Sequence, residues 1–155
     1  MTPVRLPTGD PRLLEVLALI RSSFAYMHGR IDPPSSVLSL DLAAVKRQAQ
    51  AGEIWGLGEP LEASVFLTPK SDCLYIGKLA VAESYRKRGL ARLLVDHAAT
   101  RARALGLAAL ELQTRVELEE NHMTFGRMGF VQTGQTAHAG YDRPTSITMR
   151  RAILP

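Results

Sequence analysis

Two apolar segments of strand length, residues 74–81 and 107–113, lie on either side of a longer segment whose apolar residues recur at helical spacing. A helix is predicted over residues 89–105, and Gly106 follows as a residue that readily takes the left-handed backbone of a helix end. A strand, a helix and a strand at this spacing form a βαβ unit, in which the strands are parallel and the crossover is right-handed. The chain is thereby restricted to folds in which helices pack on a sheet with a parallel pair.

The remaining segments surround this unit with further helices and strands. The chain has 155 residues, of which 46% are hydrophobic, and no repeat or long linker divides it. A single domain over residues 1–155 is therefore predicted. The predicted fold class is α/β, with three layers and a mixed, mostly antiparallel sheet around a central parallel pair. A first helix is predicted from Pro11, with apolar residues repeating from Leu13 to Phe24 and an end at Gly29. The further elements predicted are helices at residues 40–51 and 119–128 and strands at residues 53–57, 62–68, 130–136 and 146–151.

The basic residues of the chain are concentrated at one point. The net charge is +4, and the densest basic cluster, Arg86, Lys87 and Arg88, stands directly before the helix of the βαβ unit. Aromatic residues make up only 6% of the chain and do not alternate with a basic stripe, so nucleic acid binding is not favoured. The cluster indicates a localised anion such as a phosphate. The histidines and the single cysteine, Cys73, lack the spacing of metal ligands, so no metal site is predicted.

The turn before this helix has the properties of a phosphate site. The first amides of a helix lack intrahelical partners, and together with the helix dipole they attract anions. Cations at the same end oppose the dipole by up to about 1 kcal/mol each, and a bound anion reverses that cost. Gly89 lets a ligand approach the backbone closely because it has no Cβ atom. Neither a Walker loop nor the spaced glycines of a dinucleotide fingerprint is present.

Residues 79–91, Leu-Ala-Val-Ala-Glu-Ser-Tyr-Arg-Lys-Arg-Gly-Leu-Ala, resemble the strand and loop of the GNAT N-acetyltransferases. The signature of that family is Gln/Arg-x-x-Gly-x-Gly/Ala, and it is met by Arg86, Gly89 and Ala91. The helix and strand that follow, and a later Gly-Phe pair, also match in order and spacing. The chain thus resembles a GNAT protein over essentially its whole length.

The resemblance implies how a cofactor is held. In GNAT proteins the loop amides bind the pyrophosphate of coenzyme A, and the preceding strand pairs with the pantetheine arm. The two strands of the βαβ unit separate, the thioester enters the gap, and a strand amide near Leu79 polarises its carbonyl. Acetyl-CoA is the expected cosubstrate. The residues expected to contact it are Leu79, Ala80, Val81, Arg86, Lys87, Arg88, Gly89, Leu90, Ala91, Asn121 and Phe125.

The resemblance also implies N-acetyltransferase chemistry, in which a primary amine attacks the thioester directly. The family usually places a tyrosine, the general acid, four residues before the Gly-Phe pair, where this chain has Phe125. Tyr141 or Tyr75 is a candidate replacement, or no acid acts, because a thiolate leaves readily. Glu111 is the candidate general base, since an acidic residue inside an apolar strand beside the gap requires a reason. The alternative function is an acyl-CoA-binding domain with little or no turnover.

The sequence indicates less about the acceptor than about the cofactor. Residues 24–36 and 138–143 are expected to form its pocket, and an amine on a small molecule, a peptide, a protein or an aminoacyl-tRNA fits this pattern. No apolar run approaches the roughly 20 residues that span a membrane, and the N-terminus lacks a leader pattern. A cytoplasmic enzyme is therefore expected. Dimers are common in the family that the chain resembles, so a homodimer is a further expectation.

Overall fold

The computed structural model describes residues 1–154 and contains one seven-stranded sheet. In chain order the helices and strands are β1 (Val4–Arg5), α1 (Leu13–Ser23), α2 (Leu42–Ala51), β2 (Glu53–Leu57), β3 (Ala63–Pro69), β4 (Cys73–Val81), α3 (Leu90–Ala104), β5 (Ala109–Arg115), α4 (Glu119–Arg127), β6 (Val131–Thr136) and β7 (Ser146–Ala152). The strands lie in the order β1-β2-β3-β4-β5-β7-β6, and only β4 and β5 are parallel to each other. The predicted mixed sheet with a central parallel pair is confirmed.

Helices cover both faces of the sheet and enclose two apolar cores. On one face α3 packs against the central strands, and Leu94 and Leu110 are fully buried there. On the other face α1 and α2 pack against the sheet, with Ile20, Val45 and Ile54 fully buried. Each such side chain contributes about 1.5–3 kcal/mol when it leaves water. The central strands are therefore packed between helices on both sides, and the sheet forms a rigid support for a site.

The end of α3 sets the start of the next strand. The N–H of Leu107 donates to the carbonyl of Ala102 at 2.9 Å, and Gly106 between them has a φ of 70°. This hydrogen bond closes a Schellman motif, which satisfies a carbonyl of the last helical turn. Strand β5 consequently begins at Ala109, two residues later than predicted, because Leu107 belongs to the helix cap.

The first helix is shorter than the sequence indicates. α1 ends at Ser23, and the chain then makes a 3₁₀ turn, so the prediction that the helix runs on to Gly29 was wrong. The residues after the helix, Phe24, Tyr26 and Met27, line a cavity beside the sheet. A longer helix would have carried these side chains away from that cavity.

The parallel strands β4 and β5 remain together over a short distance. Residues 73–75 pair with residues 109–111, and the pairing ends there. Strand β4 also contains a bulge: Lys78 and Leu79 lack Cα partners where the register with β3 shifts, and Lys78 has a φ of 48°. The strands separate toward their C-terminal ends, and this opens a gap in the middle of the sheet.

Within residues 1–154, no helix is both long and apolar enough to cross a bilayer. The same part of the chain contains no cluster of three or more His, Cys, Asp or Glu residues that could hold a metal ion. Cys73 is buried at the start of β4 with 2% of its surface exposed, where it packs as a small apolar residue.

Candidate active site

The gap between β4 and β5 opens into a cavity of about 580 Å³. Both strands contribute to its walls, together with α4 and the segment that follows α1. About half of the lining residues are apolar, and the polar ones include Tyr75, Lys78, Gln113 and Arg115. A cavity that combines apolar walls with convergent polar groups is typical of a small-molecule site.

A second cavity of about 460 Å³ lies at the N-terminus of α3. Its lining includes Arg86, Lys87 and Arg92 and, among the described residues, no carboxylate. Both cavities are lined by Phe24, Tyr26, Leu79, Val81, Ala91 and Met128. They therefore form one continuous groove along the C-terminal half of β4, which we call the β4 cleft.

The loop before α3 has the backbone geometry of an anion site. Lys87 has a φ of 63° and Gly89 a φ of 79°. Left-handed residues in such a turn direct successive N–H groups toward one point, where they add to the free amides of the helix. A Cβ atom placed on Gly89 would meet nothing within 4 Å, so the space outside this residue is open. The residues present fit a bound phosphate group.

Comparison with known proteins identifies the family of this chain. The sequence profile of the acetyltransferase (GNAT) family matches residues 42–130, more than half of the chain. The chain belongs to the GNAT acetyltransferase family. The matched residues include the whole βαβ unit and the basic loop. No curated protein matches the chain significantly.

Solved structures of acetyltransferases share this GNAT fold over their full length. An aminoglycoside 6'-N-acetyltransferase complexed with coenzyme A superposes with a TM-score of 0.77 at 16% identity, covering 100% of this chain and 98% of the other. An aminoglycoside 6'-acetyltransferase type Ii gives a TM-score of 0.76 at 20% identity, with 100% and 99% covered. An acetyltransferase from Streptococcus agalactiae gives 0.75 at 17% identity, with 97% of each chain covered. At such identities the likeness concerns the fold alone.

The GNAT loop residues differ in how they face the β4 cleft. Arg86 lines it, and its guanidinium also donates to the carbonyl of Ser23 at 3.4 Å, which ties the loop to the end of α1. The guanidinium of Arg88 lies 5.1 Å from the ring centroid of Tyr85 instead. Of the residues predicted to contact the cofactor, the lining contains Leu79, Val81, Arg86, Lys87, Gly89, Leu90, Ala91, Asn121 and Phe125, and does not contain Ala80 or Arg88. Ala80 is 1% exposed and packs in the core beneath α1 and α2.

Helix α4 supplies one wall of the cleft. The side-chain amide of Asn121 donates to the hydroxyl of Tyr26 at 3.3 Å, which joins α4 to the segment after α1. Phe125 lines the cavity one turn later and stacks edge-to-face on Phe130, with ring centroids 5.9 Å apart. The tyrosine hydroxyl usual in GNAT enzymes is thus replaced by a hydrocarbon edge that cannot donate a proton.

Glu111 lies at the base of the gap. It pairs with Tyr75 in the parallel register, and its carboxylate is 3.8 Å from Arg150. Its side chain is 19% exposed and is not part of the cavity lining. Tyr75 does line the cavity. Burial raises the pKa of Tyr75 and the charge of Glu111 raises it further, so the phenol is protonated at neutral pH.

Tyr141 lies outside the cavity lining. Its hydroxyl donates to the carboxylate of Asp32 at 2.6 Å, and this hydrogen bond raises the pKa of Tyr141. Arg143 reaches the same carboxylate at 3.4 Å. These contacts hold the loop before β7 against the segment after α1, and His138 of that loop lines the cavity. The predicted site residues Glu111 and Tyr141 are therefore not brought together.

Two cations of the cavity were missed by the sequence interpretation. Lys78 stands in the bulge of β4, and Arg115 ends β5. Burial lowers the pKa of both, and for Lys78 the charge of Arg115 lowers it further. The signal was present in the sequence, since Lys78 interrupts an apolar strand just as Glu111 does. The left-handed backbone conformation of Lys78, which distinguishes it from the other residues of β4, could not be predicted from the sequence.

Proposed function

We propose that this GNAT chain is an acetyl-CoA-dependent N-acetyltransferase that acts on a primary amine. The observation that carries the proposal is the continuity of the β4 cleft, which joins a basic helix N-terminus to the gap between β4 and β5. A thioester of coenzyme A has the matching form, with a pyrophosphate at one end of a long neutral arm and the reactive group at the other. Membership of the family supports the same reading, and one similar structure was solved as a coenzyme A complex.

The cofactor would be held by groups along the whole cleft. Its pyrophosphate would accept hydrogen bonds from the amides around Gly89 and charge-assisted bonds from Arg86 and Lys87. Its pantetheine arm would lie beside Leu79 and Val81, where β4 has lost its neighbour β5. The acetyl group would then enter the gap, where the bulge leaves Leu79 without a Cα partner in β3, and the amide of Leu79 would polarise the carbonyl.

The reaction forms a C–N bond and breaks a C–S bond. The acceptor nitrogen attacks the thioester carbonyl after it has lost a proton, which for an amine like that of lysine, with a pKa of about 10.4, costs roughly 4.6 kcal/mol at pH 7. We assign Glu111 as the base that receives this proton, by way of water because its side chain is set back from the cavity lining. The electron pair of the C–S bond leaves with sulfur as the thiolate, and the nitrogen, which becomes positively charged on attack, releases its second proton to solvent as the amide forms.

For the general acid we favour Tyr75 over Tyr141. Tyr75 lines the cavity at the base of the gap and carries its proton at neutral pH, whereas the hydroxyl of Tyr141 is engaged in a 2.6 Å hydrogen bond to Asp32 outside the cavity lining. A phenol beside the departing thiolate supplies the proton that completes free coenzyme A. With Glu111 and Tyr75 on adjacent strands, the proton taken from the amine and the proton given to sulfur belong to neighbouring groups.

The alternative function is an acyl-CoA-binding domain without turnover. The observation that favours it is Phe125, which places a hydrocarbon edge where the family usually has its acid. Under this alternative the protein binds acetyl-CoA tightly and acetylates no amine in a broad panel.

The experiment that tests the proposal combines calorimetry with a thiol assay. Acetyl-CoA is titrated into the protein, and release of free thiol is then followed with a panel of primary amines. Binding together with amine-dependent thiol release supports the enzyme. Binding without release in the whole panel supports the domain without turnover, and absence of binding contradicts both.

A further inference from the structure

The charges that line the cavity in the gap are all of one sign. Lys78 and Arg115 both face it, and among the described residues that line it there is no Asp or Glu. Neither cation lies within salt-bridge distance of any carboxylate in the part of the chain that the structure describes. Placing two like charges in a poorly solvated space without a partner is unfavourable. A ligand with a negative group would remove that cost.

Lys78 is held in an unfavourable backbone conformation. Its φ of 48° lies in the left-handed region, which glycine occupies without strain and a long side chain does not. Residues that keep such a conformation concentrate at functional sites. The ammonium group is also fixed in place, since it donates to the hydroxyl of Ser36 at 2.8 Å. The bulge therefore presents one positive charge at a defined point of the cavity.

Arg115 is held just as firmly on the opposite strand. Its guanidinium donates to the carbonyl of Pro33 at 2.6 Å and to that of Pro34 at 3.2 Å. These neutral carbonyls orient the group and do not cancel its charge, which Glu117 and Asp32 attract only from beyond ion-pair distance. Glu117 lies nearby, but one of its oxygens accepts the N–H of Asp32, and no ion pair with Arg115 forms.

The phosphates of the cofactor do not account for these charges. The basic loop at Arg86 to Gly89 follows the end of β4, whereas Lys78 stands three residues before that end, roughly 10 Å along the strand. The arm that would connect the two places is neutral. The negative group that suits Lys78 and Arg115 must therefore belong to the acceptor.

We propose that the acceptor amine carries an anionic group, a carboxylate or a phosphate, which binds between Lys78 and Arg115. This inference rests on the proposed function and names the substrate class of the same site. It separates this chain from transferases of polycationic acceptors, whose amines would be repelled by both residues. The likeness to the aminoglycoside acetyltransferases concerns the fold alone and carries no information about the acceptor of this chain.

The test uses pairs of amines that differ only in the anionic group. The carboxylate arm compares 4-aminobutyrate with 4-aminobutanamide, the phosphate arm compares O-phosphoethanolamine with ethanolamine, and spermidine represents polycations. We expect kcat/KM for the preferred anionic amine to exceed that of its neutral partner at least about tenfold, and spermidine to be the poorest acceptor. Whichever arm shows the larger preference identifies the anion.

Variants connect the preference to the two cations. Lys78→Met and Arg115→Met should each reduce the preference for the anionic amine to less than about threefold. Lys78→Gly should have the same effect, and because glycine tolerates the left-handed backbone at this position, a folding defect cannot explain the result. Lys46→Met, which removes an exposed charge from α2, is the control and should leave the preference unchanged. Preference for a neutral amine or for spermidine, or a preference for anions that survives all three variants, overturns the inference and leaves the acetyltransferase standing.

A binding measurement decides the inference even without turnover. N-acetyl-4-aminobutyrate and its amide are titrated by calorimetry into the protein saturated with coenzyme A. At least about tenfold tighter binding of the carboxylate, lost in Lys78→Gly, supports the anion site. Equal or weaker binding of the carboxylate overturns it. If no amine is acetylated in the first assay, the proposed function fails by itself, and this second assay still decides the acceptor site.

Discussion

Tyr75 and Glu111 pair across the parallel strands β4 and β5 at the last position before the strands separate. One is a phenol that burial keeps protonated, and the other is a carboxylate inside an apolar strand. The pair lies at the base of the gap into which the thioester is proposed to enter. The spacing between Tyr75 and Glu111 is fixed because their strands are paired and helices pack on both faces of the sheet.

Replacing Tyr75 tests the proposed acid. Tyr75→Phe should lower kcat by about 10²-fold or more with little change in the affinity for acetyl-CoA, since general acid–base groups contribute about 10²–10⁴-fold. Adding Phe125→Tyr to that variant should restore part of the rate, because Phe125 lines the same cavity at the position where the family usually has its acid. Steady-state kinetics with acetyl-CoA and a good amine measure both effects. Full activity of Tyr75→Phe would remove this residue from the mechanism.

Replacing Glu111 tests the proposed base through pH. Glu111→Gln should lower kcat by about 10²–10⁴-fold at pH 7, and the deficit should shrink as the pH approaches the acceptor pKa of about 10, where the amine is neutral without help. Glu59→Gln, at a side chain that is 84% exposed, is the control. A deficit that stays constant from pH 7 to pH 10 would indicate that Glu111 positions the strand and does not accept a proton.

The phosphate loop is tested by a pair of glycine variants. Gly89→Asp places a negative charge where the pyrophosphate is proposed to lie and should weaken acetyl-CoA binding by at least about 100-fold. Gly106→Asp is the matched control, since Gly106 also has a positive φ and a Cβ atom added to it would also meet nothing within 4 Å. Both variants bear the same backbone strain, so their thermal stabilities should be similar. Calorimetry with acetyl-CoA separates them, and equal affinities would show that the loop is not the phosphate site.

A buried ion pair far from the cleft predicts how stability depends on pH. Glu53 is 4% exposed and accepts hydrogen bonds from Arg101 at 2.7 and 2.9 Å and from Trp55 at 2.8 Å. Burial opposes its ionisation, but these bonds outweigh burial and hold its pKa below the usual range. Glu53→Gln should therefore lower the free energy of unfolding by about 1.5–3 kcal/mol at pH 7.

The sign of that pH dependence follows from the lowered pKa. The contribution of Glu53 is complete above the pKa of the unfolded chain, about 4.3, and is lost as the pH falls through the lower pKa of the folded state. The difference between the parent protein and Glu53→Gln should be constant from pH 7 to pH 5 and shrink below about pH 4. Urea unfolding at each pH measures it. A difference that persists unchanged in strong acid would mean that packing, not charge, carries the effect.

The sequence by itself determined the features that depend only on residues close together in the chain. The apolar strands, the helical repeat between them and the left-handed Gly106 all act within a few residues, and they predicted the βαβ unit and the mixed sheet. The basic loop before Gly89 was readable for the same reason, because an anion site at a helix N-terminus needs only one turn of chain. The position of Phe125 before a Gly-Phe pair was equally local.

The tertiary structure decided the rest, because it depends on which distant segments meet. Strands β4 and β5 part after Tyr75 and Glu111, and the bulge at Lys78 follows three residues further along β4. The cavity in the gap joins residues after α1 to residues of β5, some 80 positions apart in the chain. Nothing in the sequence connects Lys78 to Arg115. Only the fold brings them to the same cavity, whose lining contains no carboxylate among the described residues, and this makes the cavity positively charged.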